Sequence, residues 1–310
     1  MRAVITGASG FVGRALHDHL LDSGDDVVAL SRGTGGPDLA DRGAIFATFA
    51  DAQPDVVYHL AAQAHVPTSW QDPVGTLRTN VEGTQNVLDA ARAAGGSRVL
   101  VASSAEIYGT VTPTELPITE GAAMRPLNPY AASKVAADAL AVQANLGHGQ
   151  DVVRLRSFNQ IGPGQSTDFV CAGLANRIAL AELNGLHTID VGSLEPRRDF
   201  SDVRDVVRAF RLAATQGEPG QAYNVCSGVD RSIRELAEHM AALSTHELEF
   251  RVREALQRPV DTPIVRGDNS RITTATGWSP KIPIETSLAD ILNDARLRLA
   301  NDSNTDANHA

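Results

Sequence analysis

Apolar residues in the first half of the chain fall into short runs separated by longer amphipathic stretches. Runs at 3–6, 27–30, 56–60, 98–102 and 152–155 have the length and continuity of strands buried on both faces. Between them, apolar positions recur at helical spacing over 12–21, 45–50, 74–94 and 130–146. Such an alternation predicts a parallel sheet with helices on each side. Gly95 and Gly96 close one helix and Gly147 another. After Asn159 the alternation loosens, beginning at Gly162-Pro163-Gly164. Residues 188–191, 223–226 and 248–252 read as further strands, and 233–243 and 288–299 as helices. Residues 301–310 are polar, lack apolar periodicity and read as a disordered tail.

Between the first strand and the first helix stand Gly7, Gly10 and Gly13. A turn of this kind presents backbone N–H groups to a pyrophosphate, with glycines where a side chain would block the approach. A turn that needs positive φ also collects glycine, but the strand before it and the helix after it favour a dinucleotide. The fold expected is α/β: a Rossmann-type doubly wound parallel sheet with a smaller mixed α/β substrate-binding domain. Residues 1–160 form the dinucleotide-binding domain and 200–228 return to it. Residues 161–199 and 229–300 build the substrate-binding part.

Tyr130 and Lys134 lie four residues apart on a predicted helix, so phenol and ammonium project to one face. A neighbouring ammonium favours the phenolate, which predicts a lowered tyrosine pKa suited to proton transfer. Ser103 and Ser104 end the strand at 98–102, on the sheet edge that faces a ligand crevice. The strand at 27–30 is followed by Ser31 and Arg32 with no acid directly after it. An acid there bonds the ribose 2′-OH of NAD, whereas an arginine accommodates a 2′-phosphate. The cofactor expected is therefore NADP(H), with NAD(H) as the alternative.

Composition narrows the partners. The formal net charge is −10 with no basic cluster, which argues against nucleic acid or an anionic membrane. The chain opens on a strand, leaving no room for a signal peptide, and no apolar run reaches membrane-spanning length, so a cytoplasmic protein is expected. Cys171 and Cys226 sit far apart in apolar surroundings and read as buried free thiols. No metal site is assigned.

Six motifs in order, Thr6-Gly-Ala-Ser-Gly-Phe-Val-Gly13, His59-Leu-Ala-Ala62, Asn80-Val-Glu-Gly-Thr84, Ser103-Ser-Ala-Glu-Ile-Tyr-Gly109, Pro129-Tyr-Ala-Ala-Ser-Lys134 and Arg197-Arg-Asp-Phe200, carry a family likeness. Together they resemble the nucleotide-sugar branch of the extended short-chain dehydrogenases/reductases. The resemblance implies cofactor contacts at Gly7, Gly10, Phe11, Val12, Gly13, Ser31, Arg32, Asp38, Leu39, Leu60, Ala61, Ala62, Tyr130 and Lys134. It implies a catalytic set of Ser104, Glu106, Tyr130 and Lys134. Substrate contacts are expected at Asn80, Ser104, Glu106, Asn159, Val191, Gly192, Arg198, Arg258 and Asp261, with Asn80 also ordering the site. Arg198 and Arg258 suit phosphate, Asp261 ribose hydroxyls and Asn159 sugar or diphosphate oxygens. His59 is read as packing beneath the cofactor.

Within that branch, Arg156-Ser-Phe-Asn-Gln-Ile-Gly-Pro-Gly-Gln-Ser166, Gln257-Arg-Pro259 and Gly267-Asp-Asn-Ser-Arg271 are most similar to 4-reductases of GDP-4-keto-6-deoxy-D-mannose. The likeness implies a GDP-sugar substrate, whose C4 ketone is reduced to give a GDP-6-deoxyhexose such as GDP-D-rhamnose. The alternatives are a 4,6-dehydratase, since Glu106 stands where that reaction needs a base, and an NDP-sugar 4-epimerase. Helices 74–94 and 130–146 carry a second apolar or small stripe at Val81, Val87, Leu88, Ala91 and at Val135, Ala136, Ala139, Leu140. With the family habit, this predicts a homodimer through a four-helix bundle.

Overall fold

The computed structural model describes residues 1–256 and 262–307. The chain begins β1 (Arg2–Thr6), α1 (Phe11–Asp22), β2 (Asp26–Leu30), α2 (Arg42–Ala52), β3 (Val56–His59), α3 (Val66–Gln71), α4 (Pro73–Leu77), α5 (Gly83–Ala93) and β4 (Arg98–Ser104). It continues through α6 (Pro129–His148), β5 (Val152–Ser157), β6 (Asn159–Ile161), α7 (Val170–Asn184), β7 (Thr188–Val191), β8 (Arg197–Asp202) and α8 (Val203–Gln216). It ends with β9 (Ala222–Val225), β10 (Asp230–Ser232), α9 (Ile233–Ala242), β11 (Glu249–Val252), β12 (Ile264–Val265), α10 (Ser270–Thr276) and α11 (Ile284–Ala307).

Six strands pair in the order β2-β1-β3-β4-β5-β9, all parallel. The order reverses at β1, which has β2 on one side and β3 on the other. The connections leaving β1 and β3 therefore part and open a crevice at the carboxyl edge. Register places Thr6 opposite His59, so the turn at Gly7 lies against the 60–62 segment.

Helices α1 and α8 cover one face, with Leu16, Leu20, Val206 and Phe210 fully buried against Ile5 and Tyr58. Helices α2, α5 and α6 cover the other through Ile45, Phe49, Val87, Leu88 and Ala141. A separate apolar cluster joins α7, α9 and α11 through Leu174, Ile178, Leu236, Met240, Ile291 and Leu292. Ile272 and Trp278 belong to the first cluster, and Trp278 Nε1 donates to Asp205 O at 2.9 Å. The sequence reading places 229–300 wholly in the substrate-binding part; α10 instead packs back on α8 and β9.

Three further findings depart from the sequence pattern. The helix expected over 74–94 is α4 and α5 joined by a π turn at Arg78–Glu82, with Asp72 capping its start. The closing helix α11 runs to Ala307, well into the segment whose composition suggests disorder. Val87, Leu88 and Ala91 form no outward stripe, because α2 and the sheet bury them within the chain. On α3, α4 and α6 the large apolar residues left outward are Trp70, Val74, Leu77 and Leu146, which are 62%, 68%, 43% and 81% exposed. Among the described residues, no helix is long and apolar enough to cross a membrane.

A small sheet lies past the crevice. Strand β8 pairs antiparallel with β10 and parallel with β12 and β6. Its buried Asp199 carboxylate accepts from the backbone N–H groups of Ser227, Gly228 and Gly267, tying β8 to the loops after β9 and before α10. That is the structural use of the acid in Arg197-Arg-Asp-Phe200.

Candidate active site

The glycine turn is built for close approach. Gly7 has φ +77°, and a Cβ on it would lie 2.7 Å from Ala61 N. A Cβ on Gly13 would lie 2.2 Å from Gly7 O, so only glycine lets α1 start this close to β1. The N-cap is Gly10 and no side chain caps α1, which leaves its first N–H groups to a ligand. A cleft of about 900 Å³ opens here, bordered by Gly7, Gly10, Phe11, Val12 and Gly13. Ser31, Arg32, Asp38, Leu39, Leu60, Ala61 and Ala62 line it too, as do Ser104, Glu106, Tyr130 and Asn159. Glycines that a Cβ would fill, an uncapped helix start and this volume fit a dinucleotide.

Ser9, inside the glycine turn, is a member the sequence reading missed. Its hydroxyl is hydrogen-bonded to that of Ser31, beside Arg32. Arg32 Nη1 lies 3.6 Å from Asp38 Oδ2, and both side chains are exposed.

Ser104 ends β4, and Tyr130 occupies the first turn of α6. Asn128 starts that helix by accepting from Ala131 N at 2.7 Å, with Pro129 at its first position. Ser104 stands near enough to the Tyr130 hydroxyl to work against the rise in its pKa. Lys134 Nζ donates to Ala102 O at 2.8 Å on the neighbouring strand. The expected lowering of the phenol pKa is reversed. Burial pushes Tyr130 up to about 12, opposed by Ser104 and reinforced by the Glu106 charge. Burial also pulls Lys134 down to about 8. Desolvation outweighs the pairing that helical spacing suggests. At neutral pH Tyr130 is a neutral phenol, hence a proton donor.

Three other candidates find distinct places. His59 is buried between Thr6 Oγ1 at 2.8 Å and Thr84 Oγ1 at 2.9 Å, and burial, then the Lys134 charge, lower it to about 3. It is a neutral packing residue. Asn80 is 2% exposed and does not border the cleft. Its side chain accepts from Gln63 N at 2.7 Å and donates to Gln63 O and Ser133 Oγ, locking the loop after β3 to α6. The π turn makes this possible by turning Thr79 to the cleft and Asn80 to the loop. Glu106 is exposed in the cleft, and its Oε2 accepts from Asn128 Nδ2 at 3.2 Å.

A second hollow of about 260 Å³ adjoins the first, sharing Asn159, Asp168, Phe169, Val170 and Phe200 with it. It holds Val191, Gly192 and Arg198, together with Arg177, which the sequence reading did not single out. Asn159 Nδ2 donates to Asp199 O at 3.1 Å, so β8 orients the residue at the junction. A Cβ on Gly192 would lie 2.5 Å from Leu256 O, so the chain passes tightly behind the hollow. Arg258 and Asp261 lie outside the described residues. Cys171 and Cys226 are both free and buried, and burial pushes the Cys171 thiol up to about 12. Among the described residues no cluster of three or more His, Cys, Asp or Glu side chains is placed to hold a metal.

Comparison with known proteins places this geometry in context. The family model described as GDP-mannose 4,6 dehydratase matches residues 34–291. The GDP-6-deoxy-D-mannose reductase of Pseudomonas aeruginosa is 40% identical, across 96% of this chain and 98% of that protein. The structure of RMD from Pseudomonas aeruginosa complexed with NADPH superposes with a TM-score of 0.88, covering 96% of this chain and 99% of that one, at 40% identity. The UDP-glucose 4-epimerase of Mycolicibacterium smegmatis is 34% identical over 93% of this chain and 96% of that protein.

Proposed function

The chain belongs to the GDP-mannose 4,6-dehydratase family of extended short-chain dehydrogenases/reductases, and on that premise we propose that it reduces the C4 ketone of GDP-4-keto-6-deoxy-D-mannose with NADPH. The product is a GDP-6-deoxyhexose such as GDP-D-rhamnose. The Pseudomonas reductase and its NADPH complex support substrate and cofactor. The observation on this chain that carries the reading is the neutral Tyr130 phenol and the Ser104 hydroxyl lining one cleft with the glycine turn.

The glycine turn and the start of α1 hold the dinucleotide pyrophosphate, and Ser9, Ser31 and Arg32 face its 2′-phosphate. NADPH, when bound, supplies the hydride that C4 accepts. Ser104 donates a hydrogen bond to the ketone oxygen and orients it. Tyr130 transfers its phenolic proton to that oxygen as negative charge develops there. Lys134 keeps two of its three N–H donors after serving Ala102, enough for the hydroxyls of the nicotinamide ribose. Arg198 and Asn159 face the diphosphate and sugar from the second hollow and the junction.

The reading is tested by following nicotinamide absorbance. NADPH is expected to be oxidised in step with loss of the 4-keto-6-deoxy sugar nucleotide. Glu106 in the cleft carries the second reading, a 4,6-dehydratase. Sustained conversion of GDP-mannose with no net change in dinucleotide would replace the first reading by it.

We also propose a homodimer, assembled on the outward faces of the helices from α3 to α6. Trp70, Val74 and Leu77 stand outward on α3 and α4, as do Ala132, Ala139 and Leu146, seven residues apart, on α6. An apolar ridge of this size on a charged protein asks for a partner, and two-fold pairing is the commonest closed arrangement. Ala139→Glu, at an exposed position, is expected to shift light scattering from dimer to monomer mass. A monomeric wild type at micromolar concentration overturns the proposal. A reducing compartment suits the two buried free thiols and supports a cytoplasmic setting.

A further inference from the structure

The strap between β6 and α7 borders the dinucleotide cleft through Gly164, Gln165 and Ser166, and one glycine in it is held from both sides. Arg14 on α1 donates through Nη1 to Ser9 O at 2.6 Å, inside the glycine turn, and through Nη2 to Gly164 O at 3.0 Å. The N–H of the same glycine donates to Asp294 Oδ2 on α11 at 2.9 Å. Arg298 Nη2 lies 2.8 Å from that carboxylate oxygen. Arg298 borders the cleft, and neither its buried Nε nor its buried Nη2 has a hydrogen-bond partner, so Asp294 meets it as an ion pair alone. A continuous line of contacts thus runs from the turn that faces the pyrophosphate to a cation on the last helix.

Charge gives this arrangement a direction. Arg14 and Arg298 bring two positive charges to the strap and Asp294 one negative, in a chain whose net charge is −10. An orphaned, buried guanidinium N–H is costly until it finds an acceptor. A pyrophosphate oxygen is an acceptor of the right charge, and guanidinium meets phosphate oxygens in fork geometry. The 2′-phosphate has its own cation in Arg32, at the end of β2.

We propose that Arg298, reaching over from the substrate-binding half, is a second cation for the dinucleotide pyrophosphate, and that Asp294 holds it ready when the cleft is empty. This rests on the NADPH-binding reading above. The closing helix then belongs to the cofactor site.

The test is direct binding by nicotinamide fluorescence, with NADPH and NADH, on the intact chain. Arg298→Gln is expected to weaken both dinucleotides alike, by about 5- to 10-fold for a half-exposed charge-assisted contact, and Arg298→Lys to recover part of the loss. Asp294→Asn keeps an acceptor for Gly164 and removes the competing charge, so both dinucleotides bind more tightly. Arg32→Ala serves as contrast and weakens NADPH alone. Loss confined to NADPH in Arg298→Gln, or unchanged affinity, overturns the proposal. A lowered thermal midpoint of the ligand-free variant with unchanged affinity assigns Arg298 a purely structural role and overturns it too. A wild type that binds neither dinucleotide refutes the NADPH reading itself, separately from the role of Arg298.

Discussion

Tyr130→Phe is expected to lower kcat by roughly 10²–10⁴-fold, the ordinary contribution of a positioned general acid, while NADPH and the GDP-sugar still bind. The substitution deletes the proton and keeps the ring that α6 buries at 9% exposure. Ser104 remains to polarise the ketone, so the residual rate reflects orientation and hydrogen bonding without proton delivery. The raised proton affinity of the phenol keeps it protonated at neutral pH, the state from which it delivers a proton. Reduction ends with a proton placed on oxygen, and a group held near pKa 12 by burial starts in the protonated state. Steady-state kinetics at neutral pH with both substrates saturating separate kcat from KM. Near-full kcat in the variant means that another group delivers the proton.

Asp138→Ala is expected to cost about 3–5 kcal/mol of folding stability, the range for breaking a buried ion pair by removing one partner. Asp138 lies on α6 at 1% exposure. Its carboxylate accepts from Arg156 Nε and Nη2 at 3.0 Å each and from Arg154 Nη1 at 2.8 Å. Arg156 is itself only 3% exposed and also bonds Tyr108 and the Glu120 carbonyl. Without Asp138, two guanidinium groups keep their burial and lose their counter-charge. Burial alone would raise the carboxyl pKa, but the hydrogen bonds and charges of Arg156 and Arg154 outweigh it and hold the value low. A lowered folded-state pKa stabilises the fold above the unfolded value and loses that contribution as pH falls through the folded one. Urea denaturation should therefore show the gap between wild type and Asp138→Asn at neutral pH and its narrowing in acid. The same network seats β5 and α6, the two elements that flank the Tyr130 site. Its loss should reach activity through stability, and added urea should separate the two effects.

Much of this protein is written in short windows of its sequence. The parallel sheet follows from apolar runs too short for helices, separated by stretches with helical periodicity. The glycine turn follows from a need for positive φ at Gly7 and for a missing side chain at Gly13. The positions of Ser104, Tyr130 and Lys134 follow from strand ends and helix spacing, which are local rules. Other properties depend on what the rest of the chain brings near. Burial from several elements, not the lysine four residues on, determines the proton affinity of Tyr130. The second hollow needs β6 and β8, strands of three and six residues whose partners lie far apart in the chain. Whether an apolar residue on a helix faces solvent depends on what covers it. Thus Val87 and Leu88 disappear beneath α2 and the sheet, while Trp70, Val74 and Leu146 stand outward. Arg298 meets the cleft only because α11 packs on α7 and returns the end of the chain to Gly164. Dihedral preference and periodicity are properties of neighbours in sequence, whereas desolvation and charge depend on neighbours in space, and only the folded chain supplies those.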